Sequence, residues 1–275
     1  MEHGLHLPDL NRGERVTRIP VGRSPLSEER RRKRRLLALL SFLVAVGVGA
    51  TLITYVLLQP GPPLRIMSVA VSPGRPAAGE TLTVVATVQG GTFLKPASAS
   101  LTFATFFGDE GSGGGSMVST GENRYQGRLG PFINGTEVWF VVSAVSGSEG
   151  PVISSQVTLD VGTVARNGSS GIAIAQVTQI PTDPDSLDTV VVTAQVTSQS
   201  TMLRVSFSYM AFYRNGQGSG GGAMFQDTSG NWTTGGMLMP QTMPRFSGTV
   251  FYYRIAAIDG TQNTATSAVY NYTLR

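Results

Sequence analysis

From Leu36 to Leu58 the chain runs for 23 residues without a charge, LLALLSFLVAVGVGATLITYVLL. A helix needs about 20 such residues to cross a hydrocarbon core. Beyond Pro60 the pattern changes to alternation, as in Ser68-Val69-Ala70-Val71 and Thr81-Leu82-Thr83-Val84-Val85-Ala86-Thr87-Val88, with Pro and Gly between the runs. Period two with β-branched residues predicts strands, and no helical period of useful length follows the apolar run. The pattern therefore predicts one transmembrane helix followed by an all-β portion.

The flanks of the apolar run set its direction. Arg30, Arg31, Arg32, Lys33, Arg34 and Arg35 precede it, and Gln59-Pro60-Gly61-Pro62-Pro63 follows. A cationic cluster at the N-terminal end alone is a topology signal. By the positive-inside rule, residues 1–35 stay in the cytoplasm and everything after Gln59 goes outward. A cleavable signal peptide is the rival, with Val48-Gly49-Ala50 as a small-residue cleavage site. Length favours an uncleaved anchor, because a signal's apolar region spans about 7–15 residues and this one continues to Leu58. On the helix, Ser41, Ala45 and Gly49 fall at i, i+4 and i+8, a stripe of small residues where another helix can dock. Residues 1–29 hold Pro20 and Pro25, scattered charges and no apolar period, and are expected to be a mostly flexible tail.

The outer part repeats itself at a spacing of roughly 107 residues. Ile66 to Val88 aligns without a gap on Ile174 to Val196. GSGGGSM (Gly111 to Met117) matches GSGGGAM (Gly218 to Met224), with Tyr125 and Trp232 each eight residues beyond the Met. GTEVWFVVSAV (Gly135 to Val145) matches GTVFYYRIAAI (Gly248 to Ile258) after six extra residues in the second copy. Each copy has the size and strand rhythm of a seven-stranded β-sandwich.

In the second copy, a strand ending Phe207-Ser208-Tyr209 is followed by the Gly-rich segment, Met224, Trp232, Met239-Pro240 and Gly248 to Asp259. This order resembles the fibronectin type III or immunoglobulin-like repeats of exported, membrane-anchored prokaryotic proteins. The resemblance covers roughly residues 64–275, is weaker in the first copy, and implies a fold without naming a ligand. The expected fold class is all-β: two tandem immunoglobulin-like β-sandwiches preceded by one transmembrane α-helix. The expected organisation is a basic cytoplasmic tail (1–35), a transmembrane helix (36–58), a Pro-rich spacer (59–65), a first immunoglobulin-like domain (66–161), a linker (162–171) and a second domain (172–275).

Composition then removes chemistries. There is no Cys, and the two His residues, His3 and His6, lie in the tail. The outer domains therefore lack the groups for a Ser-His triad, a Cys-His dyad or an imidazole metal site. For an exported β-rich protein, the missing Cys also points to a prokaryotic cytoplasmic (inner) membrane, with the domains periplasmic or extracellular. The net charge of +4 belongs to the tail, where 10 Lys/Arg face 5 Asp/Glu; after Gln59 the balance is 11 against 12. A near-neutral outer part argues against nucleic acid. Asp183, Asp185 and Asp188 crowd one turn but lack the Gly and terminal Glu of a calcium loop. The first-copy counterparts are Arg75, Ala77 and Glu80, so the cluster is not expected to be a shared framework feature. The Gly-rich segments lack the Gly-Lys-Ser/Thr of a phosphate loop and are expected to be turns or loops.

The expected function is that of a non-catalytic accessory or assembly subunit of a larger membrane complex, of photosynthetic, respiratory or secretion type, with no cofactor and no metal. Its partners would be the lipid bilayer and an integral membrane protein in a hetero-oligomeric complex. Candidate contacts are Ser41, Ala45 and Gly49 on the helix, and Gly113, Gly114, Gly220, Gly221, Met237, Met239 and Met243 in the outer loops. The alternative is a surface adhesion module that binds a glycan or protein through Trp232, Tyr252 and Tyr213.

Overall fold

The computed structural model describes residues 25–58, 62–91, 96–147, 150–163, 171–214, 216–235 and 246–275. Most of the expected linker, and Met237, Met239 and Met243, lie outside these. The chain divides into two compact units, Met1–Gln59 and Pro60–Arg275.

In the first unit, α1 spans Pro25–Leu58. It starts well before Leu36, so the basic run Arg30 to Arg35 is helical, as are residues 25–29 at the end of the stretch expected to be mostly flexible. The physical reason is local. Pro25 stands at the first helical position, where its missing N–H costs nothing. Glu29 falls near the N-terminal end, where the helix dipole favours an acid. Lys33 pairs with Glu29 at 3.1 Å across one turn. From Glu29 to Tyr55 the helix is apolar enough to cross a membrane, its most apolar 18-residue stretch having a mean hydropathy of 2.5. The Ser and Thr hydroxyls of this stretch are satisfied internally: Ser41 Oγ donates to Leu37 O, Thr51 Oγ1 to Gly47 O and Thr54 Oγ1 to Ala50 O.

The second unit is built from strands. In chain order the first copy contains β1 (Arg65–Ser72), β2 (Leu82–Gln89), β3 (Ser98–Phe107), β4 (Gly111–Ser116), β5 (Val118–Gly121), β6 (Arg124–Leu129), β7 (Thr136–Val145), β8 (Val152–Ile153) and β9 (Val157–Asp160). The second contains β10 (Ile172–Ile180), β11 (Val191–Ser198), β12 (Leu203–Tyr213), β13 (Gly216–Ala223), β14 (Phe225–Gln226), β15 (Trp232–Thr233), β16 (Val250–Asp259), β17 (Thr264–Thr266) and β18 (Tyr270–Thr273). Each copy folds into two antiparallel sheets: β1-β2-β6-β5 against β4-β3-β7-β8 with β9 also on β7, and β10-β11-β15-β14 against β13-β12-β16-β17 with β18 also on β16. Leu82, Val84, Ala86, Val138, Phe140 and Val142 fill the first core; Val192, Ala194, Phe207, Tyr209, Tyr253 and Ile255 fill the second.

The repeat holds at the level of hydrogen-bond register. Ile66 pairs with Val88 as Ile174 does with Val196. Ala86 pairs with Tyr125 as Ala194 does with Trp232. Both copies also interrupt the last strand in the same way. Between β8 and β9 the Ser154 hydroxyl accepts from Val142 N–H at 3.0 Å, and between β17 and β18 the Ser267 hydroxyl accepts from Ile255 N–H at 3.0 Å. The hydroxyl supplies the acceptor that the broken ladder lacks.

The Gly-rich segments are strands rather than turns or loops. At several of these positions glycine is favoured because the neighbouring strand lies close. A Cβ at Gly113 would sit 3.0 Å from the Phe103 ring, and one at Gly220 2.6 Å from the Tyr209 hydroxyl. At Gly114 and Gly221 it would meet Leu101 O at 2.8 Å and Phe207 O at 2.5 Å. β12 also runs on past the expected end at Tyr209, through Met210-Ala211-Phe212 to Tyr213.

One acid of the Asp183–Asp188 turn has a counterpart in the first copy. Glu80 accepts from Ala77 N–H at 2.9 Å, and Asp188 accepts from Asp185 N–H at 2.8 Å at the equivalent place. Asp185 also caps Leu187 and Asp188 N–H, and Asp183 pairs with Arg275. No shared cluster is legible in the sequence, because Arg75 and Ala77 stand where Asp183 and Asp185 do, yet Glu80 and Asp188 close the same turn.

Candidate functional site

The two sandwiches are packed against each other. Ala104, Phe106, Trp139 and Val141 on the outward face of β3 and β7 meet Met210, Phe212 and Ala256 on the outward face of β12 and β16, forming a third core. The second unit is thus four layers with three cores. β7 is buried along nearly its whole length because it is covered on both faces.

Polar groups cross this seam and find partners. Trp139 Nε1 donates to Ser208 Oγ at 3.1 Å. Ser143 Oγ donates to Gln217 Oε1 at 2.9 Å, and Gln217 Nε2 donates to Leu101 O at 3.2 Å. Arg254 Nη1 pairs with Glu137 Oε1 at 2.9 Å, the two side chains being 9% and 7% exposed. The remaining Arg254 donors reach Thr158, Thr266 and the Ser267 carbonyl. The guanidinium lies 5.9 Å from the Trp139 ring centroid and 6.0 Å from that of Phe106. A buried pair of this kind is tolerated only when its other hydrogen-bonding positions are filled, and here they are.

The seam has an approximate two-fold character, since each side offers the same strands. Met117 N–H donates to Ala99 O as Met224 N–H does to Val205 O, which makes Thr102 equivalent to Ser208 and Glu110 to Gln217. Two clefts flank the crossing of β4 and β13. One, of about 200 Å³, is lined by Thr105, Glu110, Ser112, Ser206 and Ser208; Glu110 pairs with Arg204 beside it. The other, of about 470 Å³, is lined by Ser100, Thr102, Gly113 to Ser116 and Gly216 to Ser219. In the first, the Trp139 indole caps Ser208. In the second, Tyr252 is by the repeat the counterpart of Trp139, and among the described residues the Thr102 hydroxyl, buried in a residue 1% exposed, has no hydrogen-bond partner.

The expected site residues distribute unevenly over this geometry. Gly113, Gly114, Gly220 and Gly221 are all in β4 and β13, beside the seam. Ser41 and Ala45 are exposed on α1, and a Cβ added at Gly49 would meet nothing within 4 Å. The aromatic residues named for adhesion are engaged: Trp232 packs on the second core, Tyr252 on the seam, and Tyr213 against Phe246. Sequence reasoning missed Glu137, Arg254, Trp139 and Ser208. The available signal was a charge inside each of two otherwise apolar strands.

One carboxylate is tuned by its turn. Burial works against the charge of Asp259, but side-chain hydrogen bonds from Asn263 and Thr261 and backbone N–H groups of the same residues bring its carboxyl down from 3.8 to about 2. A lowered folded-state value adds stability that is complete above pH 3.8 and is lost as the pH falls to about 2. Thermal midpoints should therefore fall across that window in the native chain more steeply than in Asp259→Asn. Parallel declines would show that the turn does not carry the effect.

No family model matches the chain, and no curated protein matches it. Among solved structures it is similar to the FN1-FN3 domains of chicken CNTN1, at 11% identity over 78% of this chain and 66% of that one, with a TM-score of 0.26. It thus spans just under two thirds of that structure's length. It is also similar to fibronectin(III)-like modules of CbhA from Clostridium thermocellum, at 15% identity over 76% of this chain and 94% of that one, with a TM-score of 0.23. By strand order and by the placement of its cores, each half of the second unit is an immunoglobulin-like β-sandwich.

Proposed function

We propose that the chain is a membrane-anchored, non-catalytic accessory module, a subunit held in a larger membrane assembly. The observation that carries this is the exposed apolar surface of α1: Leu36, Leu40, Phe42, Leu43, Leu52 and Ile53 are all open. Such a surface demands lipid or another helix around it. The basic run at its N-terminal end favours a cytoplasmic N-terminus and sandwiches on the periplasmic or extracellular side of a prokaryotic cytoplasmic membrane. The absence of His and Cys after Gln59 supports a role in binding rather than turnover. The alternative is a surface adhesion module, with the half-buried Trp232, Tyr252 and Tyr213 as its candidate contacts.

In this assembly Ser41, Ala45 and Gly49 would face an integral membrane partner. Extraction in mild detergent, followed by sizing and mass spectrometry, should recover that partner in stoichiometric amount. Gly49→Leu leaves the helix itself undisturbed, since the added side chain meets open space, and is expected to lower partner recovery several-fold. A native chain that elutes alone would overturn the accessory reading, and undiminished recovery with Gly49→Leu would overturn the docking face.

A further inference from the structure

β4 is the edge strand of its sheet, crossed on one face by β13. Among the described residues its strand partner is β3 alone, and all of Gly111–Ser116 except Gly113 is exposed. Met117 N–H donates to Ala99 O. In an antiparallel ladder, hydrogen-bonded pairs alternate with open ones. The register therefore directs Gly115, Gly113 and Gly111 toward Leu101, Phe103 and Thr105. The N–H and C=O groups of Ser112, Gly114 and Ser116 point away from the sheet. Natural edges are usually blunted by a charge, a proline or a bulge, and GSGGGS supplies none of these.

Each face of this edge has a hollow. On the core side, a cavity of about 140 Å³ is lined by Leu101, Phe103, Gly127, Arg128 and Leu129. On the seam side lies the cleft of about 470 Å³ with Ser100, Gln217, Ser219 and the Thr102 hydroxyl, which is unpartnered among the described residues. The equivalent strand β13 differs: Gly216 to Gly220 are half-buried.

We propose that the β4 edge takes up an extended polypeptide segment of a partner protein as an added strand. Its backbone would pair with Ser112, Gly114 and Ser116. Its side chains would alternate between a small apolar group in the core-side hollow and an uncharged hydroxyl or amide in the seam-side cleft. A row of donors and acceptors at strand spacing, with hollows on alternate faces, matches a polypeptide backbone rather than a compact solute. The proposal deepens the accessory-module reading and rests on it, because it gives the sandwiches a means of holding a protein partner.

The test is an amide-shift titration of the isotopically labelled full chain in nanodiscs with the acetylated, amidated hexapeptide Thr-Val-Ser-Val-Thr-Val. Saturable shifts are expected at Ser112, Gly114, Ser116, Leu101 and Thr102, with a midpoint of about 1 mM. Ser112→Pro removes an outward N–H and should weaken binding about tenfold or more. Independently of that variant's folding, the same peptide N-methylated at alternate amides should give no shifts. Equal binding of the N-methylated probe, shifts confined to other surfaces, the same shifts with maltose, or no shifts at all would each overturn the proposal. Loss of the membrane partner on extraction would sink the accessory reading while leaving this titration as it stands.

Discussion

Glu137→Ala is expected to destabilise the second unit by about 3 kcal/mol, the low end of the range for stripping one partner from a buried pair. The low end applies because Arg254 retains Thr158, Thr266 and the Ser267 carbonyl as acceptors. What remains is a guanidinium whose charge no longer has a counter-ion inside the seam. At roughly 2–4 °C per kcal/mol for a unit of this size, thermal unfolding should register the loss clearly. The double variant Glu137→Leu with Arg254→Met should recover most of it, since an apolar pair of similar volume carries no desolvation penalty. If the single variant unfolds at the native temperature, the pair contributes nothing and the seam is held by its apolar residues alone.

Trp139→Ala is expected to cost about 3–5 kcal/mol, the usual range for emptying a large aromatic from a core. Trp139 is 0% exposed, and its removal also leaves the Ser208 hydroxyl without its donor. The location of the damage is more informative than its size. Trp139 and Phe140 are adjacent on β7 but serve different cores, the seam and the first sandwich. Amide hydrogen exchange should therefore show Trp139→Ala releasing protection across the seam while each sandwich core stays protected. Phe140→Ala should instead open the first sandwich. Identical exchange maps for the two variants would mean that the four layers unfold as one and the seam has no separate existence.

The span, the strands and the repeat were legible because each rests on a local period. Leu36 to Leu58 reads as an anchor from length alone, and the alignment of Ile66–Val88 on Ile174–Val196 predicted a register that the pairing reproduces. The seam was not legible in the same way. It depends on two distant stretches, and the clue lay in what β7 and β16 lack: Thr136 to Val145 and Val250 to Asp259 do not alternate cleanly between apolar and polar. A strand that is apolar on both faces must be covered on both, so these runs called for a further layer. Glu137 and Arg254 break them with opposite charges, but nothing local tells which charge meets which. The Gly-rich segments misled for a related reason. Glycine favours turns when read alone, whereas here Phe103, Tyr209 and two strand carbonyls leave no room for a Cβ.

The unequal contributions across the seam bear on how copies of this protein treat one another. Two first sandwiches brought together by the same faces would set Glu137 against Val141, and two second sandwiches would set Arg254 against Val250, each burying an ion with no counterpart. Only the mixed arrangement neutralises both, so the duplication that produced the halves has diverged into a lock that rejects self-pairing. Copies of the chain that met through these faces would thereby be disfavoured from pairing first half with first half or second with second.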